Sequence, residues 1–173
     1  MGGVTFTASL QDEAMRAALG RVQGLMTSPT PMLKQIGAGV VAAVQEHFER
    51  QSDPWGKAWH ALCPAYAPLK KNSRILTESH HLVDSINYQL GARSVSVGSN
   101  VVYARIHQLG GKIVPKTRPA LSFLLAVGKG NKPGIVQVKS VRIPARPYLG
   151  LGEAEKEAIA LAVKLHMKRA LGG

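Results

Sequence analysis

Cysteine occurs once in this chain of 173 residues, at Cys63. That excludes an internal disulfide and a cysteine-based metal centre. Aromatic residues make up only 5%, so a core has to be built mainly from Val, Leu, Ile and Ala, for which the 45% hydrophobic content suffices. No apolar run reaches the roughly 18–20 residues that span a bilayer. The opening MGGVTFTASL lacks a basic stretch followed by a long apolar core, so it is not read as a signal peptide. Its Met-Gly-Gly start does not match a myristoylation motif, because position six is Phe6 rather than Ser or Thr. These absences predict a chain made in a reducing cytoplasm, with no membrane partner.

Acidic residues are the next shortage. Asp and Glu are absent from residues 85–152, where Arg93, Arg105, Lys112, Lys116, Arg118, Lys129, Lys132, Lys139, Arg142 and Arg146 all lie. These ten account for all but two units of the formal net charge of +12. An anionic partner follows, either nucleic acid or an acidic protein face.

Catalytic patterns are missing too. His80 and His81 are adjacent, so on a helix they point about 100° apart, and no third ligand stands at a metal-like spacing. His107 has Tyr103 four residues before it but lacks the Asp, Glu, Ser or Cys partner that a catalytic histidine needs nearby, and Cys63 has no activating motif around it. Gly128-Lys129-Gly130 is not a phosphate loop, because it opens no helix and lacks the Lys-Ser/Thr ending. Asp84 has no companion carboxylate for a two-metal site. The expectation is no enzyme, no metal and no cofactor.

What is present begins with residues 101–111, VVYARIHQLGG. Val102, Arg105, Ile106 and Leu109 recur at helical spacing, and Gly110 and Gly111 then stop the helix. Residues 93–98 before it alternate as a strand, hairpinned to a strand at 86–90. Further upstream the pattern predicts a strand at 4–10, a helix from Gln11 to about Met26, and a helix capped by Thr30 with Pro31 in its first turn. Leu33, Ile36, Val40, Val44 and Phe48 form that helix's apolar stripe, ending near Gln51. Gly37 and Gly39 each cost it about 1 kcal/mol, which a close approach by a neighbouring element offsets. Residues 53–69 read as a loop carrying both tryptophans, with Trp59 buried and Trp55 partly so. Thr77 and Ser79 are candidate caps for a short helix to about Ser85.

Downstream, 121–127 and 135–141 are β-rich runs joined by a Gly-Lys-rich tip, an extended hairpin arm. Residues 143–147 are extended because of two prolines. A last helix runs from about Gly152 to Leu171, with Glu at its start and Lys and Arg at its end. The fold class is α+β: a small, mostly antiparallel sheet against two or three helices, with the arm projecting. The domain reading is a single domain over 1–173, with the arm at about 112–142.

Four segments, taken together, resemble a known family. They are FERQSDPWGKAWHAL (48–62), ILTESHHLVDSI (75–86), VSVGSNVVYARIHQLGG (95–111) and IPARPYLGL (143–151). In this order they are similar to the phage virion morphogenesis family, which includes tail-completion and neck proteins of Mu-like and P2-like tailed phages. The Tyr-Ala-x-Ile-His-Gln-x-Gly and Ile-Pro-Ala-Arg-Pro blocks carry most of the likeness. One departure is His80 or His81 where that family usually has Gly. The long, basic 112–142 segment is another.

The resemblance implies a structural virion protein at the head–tail junction, a tail terminator or neck ring subunit that completes the tail and joins it to the head. It further implies a homo-oligomeric ring, usually a hexamer, with neck or connector and tail tube proteins as partners, and packaged DNA as a further contact. Nonspecific DNA binding is the alternative. On this reading Trp59, Tyr103, His107, Gly110 and Arg146 hold the structural centre, Arg146 and His107 through hydrogen bonds. Leu121, Phe123, Lys129, Lys132, Val136, Lys139 and Arg142 form the interface arm that reaches a neighbour.

Overall fold

The structure, a computed structural model, describes residues 13–171. The strand expected at 4–10 and the closing Gly172-Gly173 lie outside the described residues. Helix α1 (Glu13–Thr27) leads into α2 (Thr30–Arg50), where the cap is Pro29 rather than Thr30 and no side chain makes the capping bond. Helix α2 ends where Gln51 turns left-handed at φ 53°. That turn throws the chain back: the Gln51 carbonyl accepts from Trp59 N at 2.9 Å, and its Oε1 accepts from Ile75 N at 2.9 Å.

The stripe on α2 faces the core as its spacing demands. Leu33, Val44 and Phe48 are buried, while Ile36 and Val40 are half-covered. The two helix glycines differ. A Cβ on Gly37 would sit 2.7 Å from the Tyr88 ring and 2.9 Å from Val95 Cγ2, so the glycine is what lets the β1–β2 hairpin lie against the helix. A Cβ on Gly39 would meet nothing within 4 Å.

Helix α3 is shorter than the sequence indicates (His81–Asp84), and neither Thr77 nor Ser79 caps it. Thr77 is buried, its hydroxyl without a partner. The cap is His80, which adopts φ 57°. A left-handed turn, a conformation that favours Gly, therefore stands at the first of the two adjacent histidines.

The α+β class is as read, but the sheet takes the form of three separate antiparallel ribbons. Strand β1 (Asn87–Leu90) pairs with β2 (Val95–Gly98). After α4 (Ala104–Leu109), β3 (Gly111–Ile113) pairs with β6 (Val141–Ile143), with Lys112 opposite Arg142. This ribbon clasps the two ends of the arm. Between its strands, β4 (Leu121–Val127) pairs with β5 (Lys132–Val138) across a turn holding Gly128, Gly130 and Asn131 at positive φ. The outer edge of β4 is tied to the body where Ala126 N donates to Ala65 O at 2.6 Å. Helix α5 (Glu153–Leu171) closes the chain against α1 and α2.

The core is small. Val44, Phe48, Trp59, Leu82, Val83, Ile86, Ala104 and Tyr148 form it. Trp59 and Tyr148 pack around Phe48 at ring separations of 5.3 and 5.1 Å. Trp55 is 65% exposed rather than partly buried. Its backbone N–H, with that of Lys57, is held by the Asp53 carboxylate, and Pro54 lies closest to Gly150 and Gly152, with only the ring edge of Trp55 beside Gly150.

Candidate assembly site

The four recognised segments converge on one knot. Residues 146–149 run as an extended strip between the Trp loop and α4, and almost every polar group along the strip is bonded to one side or the other. Arg146 N donates to His107 O at 2.7 Å. The guanidinium of Arg146 crosses to the Trp loop, with Nε to His60 O at 2.7 Å and Nη2 to Ala61 O at 2.8 Å. Trp59 Nε1 donates to Pro147 O at 2.7 Å. Arg146 is buried, which depresses its pKa, yet an arginine stays cationic and here it leans on carbonyl dipoles rather than on a carboxylate.

Tyr148 is wholly enclosed. Its hydroxyl donates to Ala104 O at 3.1 Å, and burial pushes its pKa up to about 12. Its carbonyl accepts from His47 Nδ1 at 3.0 Å. The other ring nitrogen of His47 faces Glu155 Oε1 at 3.3 Å, which ties α5 to α2. Gln108, a residue that sequence reasoning passed over, does the most bonding. Its Oε1 accepts from Tyr148 N and Leu149 N at 2.9 Å each, and its Nε2 donates to Leu149 O at 2.8 Å. The only signal for it was its place in the Ile-His-Gln-x-Gly block.

The expected centre is thus assembled from Trp59, Gly110 and Arg146. A Cβ on Gly110 would come within 2.7 Å of Ala145 N, so the close passage of the strip requires glycine there, as does its φ of 69°. His107 contributes through its backbone. Its Nδ1 is buried without a partner, contrary to the expected ring hydrogen bond. Burial, and then the positive charge of Arg146, hold its pKa below the usual value, so the ring is neutral. Tyr103 stands at the edge, 42% exposed, because it lies on the outer side of the α4 start, ring against His107 at 5.8 Å.

The arm divides by strand parity. Leu121, Phe123 and Val136 are half-buried, on the face turned to the body. Of these only Phe123 reaches an apolar cleft of about 880 Å³ between the arm and the Trp loop, which it walls with Leu124, Leu125, Tyr66, Leu76 and Ile143. The arm's most exposed apolar pair is Leu124 and Ile135, directly opposite each other and 57% and 76% exposed, with Leu124 also reaching the mouth of that cleft. Lys129, Lys132, Lys139 and Arg142 are exposed.

The terminal helices complete the picture. Neither α1 nor α5 contains a buried residue. Met15, Leu19 and Met26 on α1, with Leu161 and Leu171 on α5, are more than half exposed. Among the described residues no helix is long and apolar enough to cross a membrane, and no group of His, Cys, Asp or Glu could hold a metal ion.

Comparison with known proteins agrees with the four-segment pattern. The sequence profile of the phage virion morphogenesis family matches residues 10–168. The G protein of Escherichia phage Mu, named for capsid assembly, is 28% identical over 154 residues, covering 86% of this chain and 85% of that protein. The Mu-like prophage FluMu G protein 2 of Haemophilus influenzae is 28% identical over 137 residues, covering 79% and 77%. No solved structure matches.

Proposed function

The chain belongs to the phage virion morphogenesis family, which gives it a structural or assembly role in a bacteriophage, and we propose that it acts at the head–tail junction as a ring subunit. In that role it completes the tail and joins it to the head. The observation that carries the reading is the contrast between a closed knot and an unclosed periphery. The strip at 146–149 is bonded on both sides, while α1, α5 and the outer face of the β4–β5 hairpin leave large apolar side chains uncovered. Large apolar side chains left exposed on three elements suit a protein–protein interface. A ring needs two different faces that fit each other head to tail, and hairpin and helices supply different faces.

Removing residues 129–134 tests the role. The ribbon at the hairpin's base and the bond from Ala126 N to Ala65 O near its tip use none of the deleted residues, so the subunit should fold without them. Infection with that variant should leave full heads and separate tails, counted by electron microscopy. Normal virions would sink the proposal.

The basic 85–152 segment favours nonspecific DNA binding as a second reading. A steep fall of duplex affinity with salt, without any dependence on virion partners, would support it.

A further inference from the structure

We propose that the outer face of the β4–β5 hairpin of one copy docks into the groove between α2 and α5 of the next copy. This rests on the ring reading above and names the contact.

Helices α2 and α5 lie antiparallel, and a polar side-chain pair joins them near each end. Gln35 Oε1 meets His166 Nε2 at 2.8 Å at one end, and His47 meets Glu155 at the other. Between those ends the facing residues are small: Gly39 and Ala43 on α2, Ala158 and Ala162 on α5. They cannot fill the space, and a groove of about 370 Å³ is left, walled by Ile36, Val40 and Ile159. The rim is acidic. Glu46 and Glu155 line it, paired within the chain with Arg50 and His47, and Glu153, paired with Lys156, stands with Glu157 on the same first turns of α5.

The hairpin is the complement within the same chain. Leu124 and Ile135 make one apolar knob, being opposite each other in register. Lys129 and Lys132 sit at its tip, and Lys139 just past the end of β5, all exposed. No acidic residue lies anywhere between 85 and 152 to oppose the match. A chain whose basic arm and acidic groove are separate surfaces favours association with its own kind, in one direction. Its own hairpin does not fill the groove, since β4 is tied to Ala65 on the Trp loop.

Two variants test this. Gly39→Leu puts a large side chain into the groove at a position where nothing lies within 4 Å of the new Cβ. Ile135→Asp spoils the knob at a side chain already 76% exposed. Circular dichroism first establishes that both are folded. In sedimentation, the wild-type chain should self-associate and each variant should do so roughly 30-fold more weakly. An equal mixture of the two variants should form a dimer and stop there, because it holds one intact knob and one intact groove. Self-association of either variant at wild-type strength would overturn the docking. So would a mixture that stays monomeric, or a wild-type chain that is monomeric up to roughly 1 mM. The same variants supplied to phage lacking the wild-type chain separate the two readings. Joined virions built from Ile135→Asp would overturn the docking alone, whereas joined virions with no copy of the chain would overturn the junction role.

Discussion

Gln108 holds the backbone of Leu149 at both its N–H and its C=O, at 2.9 and 2.8 Å, as a neighbouring β-strand would. A side chain thus does the work of a strand where residues 146–149 have no ladder of their own. Replacing it by Ala leaves Tyr148 N, Leu149 N and Leu149 O without partners. The expected loss is about 2–4 kcal/mol, read from urea midpoints. Gln108→Glu keeps the acceptor and loses the donor, so it should fall between.

Arg146→Lys should behave as a severe change. An ammonium cannot span His60 O and Ala61 O together in the planar fork geometry. A loss of about 2–4 kcal/mol is expected. In a Trp55→Phe background, emission from Trp59 should shift to the red as the Trp loop loosens; unchanged emission would count against the anchoring role.

The two glycines of α2 should respond with opposite signs. Gly39→Ala has open space around it and should stabilise by about 1 kcal/mol through helix propensity alone. Gly37→Ala pushes on the Tyr88 ring and should destabilise by about 1–3 kcal/mol. Thermal unfolding of the pair checks both.

The neutral His107 sets an acid limit. Its folded pKa lies below the usual 6.5, so the unfolded chain takes up the proton first. Stability is therefore full above about pH 6.5 and declines as the pH falls below it. Glu155 acts in the same direction at lower pH: burial alone would raise its pKa, but hydrogen bonds, including that with His47, outweigh burial and lower it. Its contribution is present above the carboxylate range and is lost on acidification through it. Unfolding of the wild-type chain and of His107→Gln, compared at pH 7.5 and 5.5, should show the smaller acid loss in the variant.

How much of this was legible depended on whether the cause was local. The stripe from Leu33 to Phe48 and the burial of Trp59 follow from residue spacing and size, and both stand in the structure. Gly37 was readable as a place of close approach, though not as an approach by Tyr88. The bonding of Gln108, the partnership of β3 with β6 and the left-handed His80 depend on chain segments far apart, which no periodicity encodes. The arm shows the same limit. Its β character was visible, but which parity faced the body was decided by the Trp loop, so Leu124 and Ile135 were missed in favour of Leu121, Phe123 and Val136. Tyr103 and the ring of His107 were overrated for a related reason: the motif they share with Gln108 and Gly110 marks a strip of backbone contacts, and their side chains serve it only in part.

The strip at 146–149 also imposes an order in time. His47 and its partner Tyr148 are 101 residues apart in sequence. At a synthesis rate of ~5–20 residues per second, Phe48 waits roughly 5–20 s on the ribosome before the residues that cover it exist. Through that interval the Trp loop has no Arg146 to fasten it, and α2 shows its apolar stripe to the cell. The subunit closes only when synthesis is nearly finished, so a chain truncated before residue 143 should be a target for proteases, not a smaller working part.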